Sequence, residues 1–224
     1  QPGFFGLGKY DADIYSLDIS KRISYLKKKL EKEKIKREMH RLHREKSGLP
    51  TVSIAGYTSA GKTTLFNRLT GETKRTGEGM FTTLSTYTRS FKINKNMKFL
   101  LSDTIGFINK LPPYMIDAFR STLNEMTYSD LTLLVIDGSD SLKVIDKKIR
   151  SSTKVMNDLM IPLTKILYLF NKADQIEDHD LFVKTLTKSK VFDPLSCHFL
   201  LISSKTGYNI GRLENFLQLR FNPH

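Results

Sequence analysis

The sequence predicts an α/β fold: a mostly parallel, helix-covered sheet, preceded by a basic helical arm. Three observations carry that expectation. From Thr51 onward, strand-like and helix-like stretches alternate, the order that βαβ units impose on a parallel sheet. A glycine-bearing loop, Gly56–Thr63, separates the first strand of that series from its first helix. Ahead of it, between Lys21 and Lys46, stand twelve Lys/Arg against four Glu, an excess of eight in a chain whose formal charge is +13.

Residues 1–17 read as a linker or the end of a missing N-terminal domain, because Pro2, Gly3, Gly6 and Gly8 crowd its start and such residues punctuate loops. The chain opens on Gln1, not Met, and we read it as a piece with an upstream portion missing. Residues 18–47 form the basic arm. Ile19, Ile23, Leu26 and Leu30 step by four, three and four along one helix face, and Ile35, Met39 and Leu42 continue in a shifted register. Gly48 and Pro50 then stop the helix, and 48–224 is expected to be the catalytic domain. Its strands are expected at Thr51–Ala55, Tyr87–Ile93, Lys98–Ser102, Leu131–Ile136, Lys165–Phe170 and His198–Ile202. Its helices are expected at Lys62–Leu69, Tyr114–Glu125, Lys143–Leu159, Asp180–Lys188 and Asn209–Leu219. In such sheets ligands sit beyond the carboxyl ends of the strands, and the motifs below all fall there.

Hydrophobic residues make up 39% of the 224, enough for a packed core. Cys197 is the only cysteine, so no disulfide forms within the chain, which fits a reducing compartment. No apolar run approaches the roughly 18 residues that span a bilayer, and no signal-peptide pattern opens the sequence. We therefore expect a cytoplasmic monomer without a membrane partner. The positive balance points to a polyanion.

Gly56-Tyr57-Thr58-Ser59-Ala60-Gly61-Lys62-Thr63 fits G-x-x-x-x-G-K-[ST], with Thr64 next, in the strand–loop–helix context that such a phosphate-binding loop requires. Its backbone N–H groups and the helix N-terminus hold a polyphosphate. Lys62 reaches the β- and γ-phosphates, and Thr63 offers its hydroxyl to Mg²⁺. Asp103-Thr104-Ile105-Gly106 follows an apolar strand about forty residues on. Asp103 is placed to hold the Mg²⁺ shell, and the Gly106 N–H to contact the γ-phosphate. Asn171-Lys172-Ala173-Asp174 follows another apolar strand. Guanine presents N1–H and an amine side by side, and the Asp174 carboxylate accepts both, whereas adenine would leave it unpaired. Asn171 ties this loop to the phosphate loop, and the Lys172 stem lies along the base. Ser203-Ser204-Lys205 follows the last strand and offers N–H groups to the guanine carbonyl. In the Gly- and Thr-rich stretch from Gly71 to Thr86, Phe81, Thr82 and Thr83 lie near the nucleotide, with Thr83 preferred over Thr82 as the Mg²⁺ ligand. Lys62, Thr83 and Gly106 are the candidates for the reacting phosphate, and Thr63, Thr83 and Asp103 for the metal.

These residues resemble the HflX-type GTPases of the translation-factor-related P-loop class. Beyond the nucleotide motifs the resemblance rests on Asp103-Thr104-Ile105-Gly106-Phe107-Ile108 with Leu111-Pro112, and on Ala118-Phe119-Arg120-Ser121-Thr122-Leu123. It covers about Gly48 to Phe221. It implies a P-loop GTPase domain that hydrolyses GTP to GDP and phosphate with Mg²⁺ and binds the large ribosomal subunit and its rRNA, in translation, ribosome rescue or biogenesis. The basic helix corresponds to the arm joining the family's two domains. Two departures stand out. Ser59 replaces an Asn that in some relatives helps hold potassium. The family's Gly-Glu-Thr-Gln-Leu-Glu segment is missing, with Gly6-Leu7-Gly8-Lys9-Tyr10-Asp11 near its place. Phe107 stands where Ras-like enzymes carry the Gln that orients the attacking water, so slow intrinsic turnover is expected. A competing reading is an RNA-binding assembly module in which GTP only switches conformation. A membrane-bound arm ranks below both, since its stripe lacks Trp and Phe. His40 and His43, three apart, read as helix surface rather than a metal site, and Cys197 as structural.

Overall fold

The computed structural model describes residues 7–73, 87–93, 97–103, 126–188 and 198–221. It divides into two compact units, Gln1–Leu49 and Pro50–His224. The first is one helix, α1 (Leu7–Ser47). It starts at Leu7 and not at Asp18, so residues 7–17, expected as a linker or the end of a missing N-terminal domain, are helical. The glycine signal misled because a single internal glycine, Gly8, costs a helix only about 1 kcal/mol, and good helix-compatible residues follow it. Ile19, Ile23, Leu26 and Leu30 are exposed along α1.

The second unit is a six-stranded sheet in the order β2-β3-β1-β4-β5-β6. Its strands are β1 (Thr51–Gly56), β2 (Tyr87–Ile93), β3 (Met97–Asp103), β4 (Leu131–Asp137), β5 (Ile166–Asn171) and β6 (His198–Leu201). Only β2 runs antiparallel, paired with β3; the other neighbours are parallel. The helices are α2 (Lys62–Thr70), α3 (Leu142–Asp158), α4 (His179–Lys188) and α5 (Ile210–Phe221). The expected helix Tyr114–Glu125 lies outside the described residues, apart from which every expected strand and helix of this unit is present.

Period-two alternation sorts each strand between two cores. On β4, Leu131, Leu133 and Val135 join Leu65 and Phe66 of α2 and Leu213 and Leu217 of α5. Leu134 and Ile136 face Ile145, Ile149 and Met156 of α3 and Leu186 of α4. Every residue of β4 is buried, as expected for a central parallel strand covered on both faces. Thr51 is clamped to Asp130 at two points. Its N–H donates to the Asp130 carboxylate at 2.8 Å, and its carbonyl accepts the Asp130 N–H at 2.8 Å. No described helix is long and apolar enough to cross a membrane.

Phe99 anchors the first core. It is fully buried, stacks on Phe91 at 5.2 Å between centroids and meets the edge of Phe221 at 5.5 Å. Phe99→Ala is expected to lower the unfolding free energy by about 3–5 kcal/mol, read from urea titration. A loss below about 1 kcal/mol would mean the three rings are not packed together.

Candidate nucleotide-binding site

At the carboxyl end of β1 the chain turns into α2 through a loop that two glycines make possible. Gly56 has φ 139°, and a Cβ there would lie 2.1 Å from the Val135 carbonyl oxygen of β4. Gly61, at φ 89°, precedes α2, and a Cβ there would lie 2.2 Å from the Asn171 side-chain nitrogen. Ser59 also adopts a left-handed conformation, φ 63°. No side chain caps the N-terminus of α2. Its first N–H groups therefore await an acceptor, the arrangement that binds phosphate.

Lys62 is nearly buried, and its Nζ donates to the Tyr57 carbonyl at 2.7 Å. Burial pushes its pKa down to about 8, against the opposing pull of the Asp103 charge. Asp103 is fully buried at the end of β3, and Thr63 is nearly so at the start of α2. One hydroxyl and one carboxylate are hard oxygen donors that fit Mg²⁺, which keeps waters and phosphate oxygens in its shell. No cluster of three His, Cys, Asp or Glu occurs among the described residues. Phe81, Thr82, Thr83, Thr104, Ile105 and Gly106, with Phe107, lie outside the described residues.

The expected base-reading residues come together from the ends of β5 and β6. Asn171 is buried; its Nδ2 donates to the Ala60 carbonyl at 2.8 Å and its Oδ1 accepts the Ser204 N–H at 2.8 Å. The expected tie between base loop and phosphate loop is therefore present, and it extends to a third loop. Asp174 is exposed, with one oxygen accepting the Ser203 hydroxyl at 2.5 Å. A carboxylate has further lone pairs, so both donors of a guanine edge can still be met. Lys172 takes φ 65° and pairs with Asp137 at the end of β4. Burial pushes the Asp137 carboxyl up, but hydrogen bonds from Lys172 and Ser139, with the Lys172 charge, outweigh it and hold it below the ordinary carboxylate value.

Two participants escaped the sequence reading. Asp137, in Ile136-Asp137-Gly138, ends an apolar strand, and that position was its signal. Arg68 binds the carbonyls of Ser204 and Lys205 from α2, and nothing in its local sequence announces partners so distant.

A family model described as 50S ribosome-binding GTPase matches residues 51–189. The chain is 38% identical over 220 residues to a GTPase HflX of Methanocaldococcus jannaschii, covering 97% of this chain and 52% of that protein. It is 40% identical over 178 residues to a GTPase HflX of Thermococcus kodakarensis, covering 80% and 40%. The chain thus spans about half the length of the curated relatives it matches. Among solved structures it resembles a GTP-binding protein from the archaeon Sulfolobus solfataricus in complex with GDP, at 33% identity and a TM-score of 0.63, covering 94% of this chain and 64% of that one.

The buried Lys62 makes the free protein sensitive to pH. Its folded pKa, about 8, lies below the unfolded 10.5. Between those values the unfolded state binds the extra proton, so stability rises with pH across the window, and below it the full penalty of the buried charge applies. A phosphate beside the ammonium favours the charged form and raises the pKa. The Lys62 Cε resonance is expected to titrate near pH 8 without nucleotide and to move up by more than about one unit with it. An ordinary lysine midpoint in the free protein would place this side chain in solvent.

Proposed function

Because the chain belongs to the 50S ribosome-binding GTPase family and is of the HflX type, we propose that it binds GTP, hydrolyses it to GDP and phosphate, and acts on the large ribosomal subunit. The observation that carries the nucleotide reading is the joining of phosphate loop, Asn171–Asp174 loop and Ser203–Lys205 loop through one buried amide. The Gly56–Thr63 N–H groups and Lys62 hold the polyphosphate. Mg²⁺, when bound, neutralises charge on the β- and γ-oxygens; Thr63, Asp103 and Thr83 are its proposed protein ligands. Water adds to the γ-phosphorus, the bond to the β–γ bridging oxygen breaks, and GDP leaves with that electron pair. Lys62 and the Gly106 N–H face the charge that develops. Phe107 has no hydrogen-bonding group to orient the water, so intrinsic turnover is slow and the bound partner accelerates it. Asp174 selects guanine. A monomer in the cytoplasm is the proposed working form.

The base assignment is tested by Asp174→Asn, which turns one acceptor into a donor. GTP affinity should fall by roughly 100-fold, while xanthosine triphosphate, with a carbonyl where guanine has its amine, should bind the variant better. Equal GTP affinity in both proteins would remove Asp174 from the site.

The partner reading rests on α1, along which Lys27, Lys28, Lys29 and Lys32 are exposed. Lysines on RNA phosphates release counterions, so affinity falls with salt. Replacing these four by Gln keeps helix propensity. Co-sedimentation with purified large subunits should weaken and its salt slope flatten, while GTP affinity of the free protein stays unchanged. An unaltered salt slope would locate recognition elsewhere. Turnover stimulated by the subunit separates this reading from an RNA-binding module whose RNA affinity ignores the nucleotide.

A further inference from the structure

Arg68 stands in the last turn of α2, outside every nucleotide motif. Its Nε donates to the Ser204 carbonyl at 2.6 Å and its Nη2 to the Lys205 carbonyl at 2.5 Å. Gly207 leaves room for this grip, since a Cβ there would stand 3.1 Å from the Arg68 Nη1.

Other backbone N–H groups of this loop are also engaged. The Ser203 N–H donates to the Tyr208 carbonyl at 3.0 Å, and the Ser203 carbonyl accepts the Gly207 N–H at 2.8 Å. The Ser204 N–H is held by Asn171 at 2.8 Å, and the Thr206 N–H by the Ser203 hydroxyl at 3.1 Å. Among the described residues, the Lys205 N–H is the backbone donor of the run 203–207 that no such bond occupies; the buried Ser204 hydroxyl also has no partner. The Ser204–Lys205 peptide is trans, so its N–H points away from its carbonyl. With the carbonyl on Arg68, the N–H is directed to the opposite side. A guanidinium bonded to the carbonyl also polarises the peptide and strengthens its N–H as a donor.

We infer that Arg68 is a specificity-positioning residue: it orients and polarises the Ser204–Lys205 peptide so that the Lys205 N–H reads the oxygen at position 6 of a guanine base. Adenine carries an amine at that position and would set donor against donor. The second, independent half of base reading thus hangs from the helix that also carries Lys62 and Thr63, so the loop that meets the base is fixed to the element that meets the phosphates. This rests on the guanine-nucleotide reading above and adds to it a residue that acts through a peptide without touching the ligand.

The test compares dissociation constants of GDP, 6-thio-GDP and inosine diphosphate for the full chain and for Arg68→Gln and Arg68→Lys. Sulfur is a weaker acceptor than oxygen, so 6-thio-GDP should bind the unaltered protein less tightly than GDP. In Arg68→Gln, GDP should weaken by about tenfold, and the 6-thio-GDP to GDP ratio should fall toward one. The inosine to guanine ratio, which reports the amine read by Asp174, should not change. Arg68→Lys reaches one carbonyl and should give an intermediate ratio. If all three nucleotides weaken by one common factor, Arg68 only holds the fold and the inference is overturned; unchanged GDP affinity overturns it too. Should Arg68→Gln fail to fold by circular dichroism, the Arg68→Lys ratio decides alone: intermediate supports, unaltered overturns. ADP separates the two levels. If the unaltered protein holds ADP as tightly as GDP, the guanine reading itself fails; if it prefers GDP and the Arg68 variants keep the 6-thio ratio, only the role of Arg68 falls.

Discussion

The site depends on one buried amide. Asn171 is nearly inaccessible and spends its donor on the Ala60 carbonyl and its acceptor on the Ser204 N–H. Removing it would strand a carbonyl and an N–H away from water, and unmade buried bonds are more costly than made ones are stabilising. The amide fits only because Gly61 has no side chain. The glycine that the phosphate loop needs for its backbone angle is thus also the space in which the base loop is fastened. On the proposed site, phosphate and base recognition are therefore not separate modules on a common sheet. A displacement of either loop breaks a bond held by the other.

The sheet explains why these loops meet at all. Parallel pairing of β1, β4, β5 and β6 brings their carboxyl ends to one edge, and each contributes one functional turn there. Val135 illustrates how tight this is: its carbonyl lies where a Gly56 side chain would be. At the opposite end, Asp130 fastens the first residue of β1. The strand that feeds the phosphate loop is thus held at both ends. A rigid strand suits a loop that presents several N–H groups to one ligand, because preorganised donors need no further ordering when the ligand arrives.

Much of this was legible in the sequence because the local signals agree with the global fold. Alternating apolar runs ended by Gly56, Asp103 and Asn171 gave the strands and the loops together. The arm's start was placed too late because Gly8 looks like a loop when the helix propensity of the residues after it is not summed. Arg68 was illegible for a different reason. Its partners Ser204 and Lys205 lie 136 and 137 residues away, and their carbonyls exist in every residue type. Backbone acceptors leave no trace in a sequence, whereas Asp174 could be singled out because the role proposed for it belongs to its side chain. Asp137 falls between: a carboxylate ending an apolar strand is visible, but its pairing with Lys172 depends on the register of β4 against β5.

The distribution of charge limits what the arm can do. Of the formal +13, the segment Lys21–Lys46 holds eight, which leaves five for the rest of the chain. That surplus does not change when a γ-phosphate is lost. A polyanion held by α1 alone would be held equally in both nucleotide states, and a ligand with equal affinity for two states shifts neither. Any dependence of partner binding on GTP must therefore enter through segments that touch the γ-phosphate or its metal. On the proposed site those are the stretches containing Thr83 and Gly106. On the proposed reading the arm supplies affinity and its salt dependence, while the loops supply the difference between GTP and GDP. These are separable quantities. On that reading, charge substitutions on α1 are expected to move the binding constant in both nucleotide states together and to leave the ratio between the states unchanged.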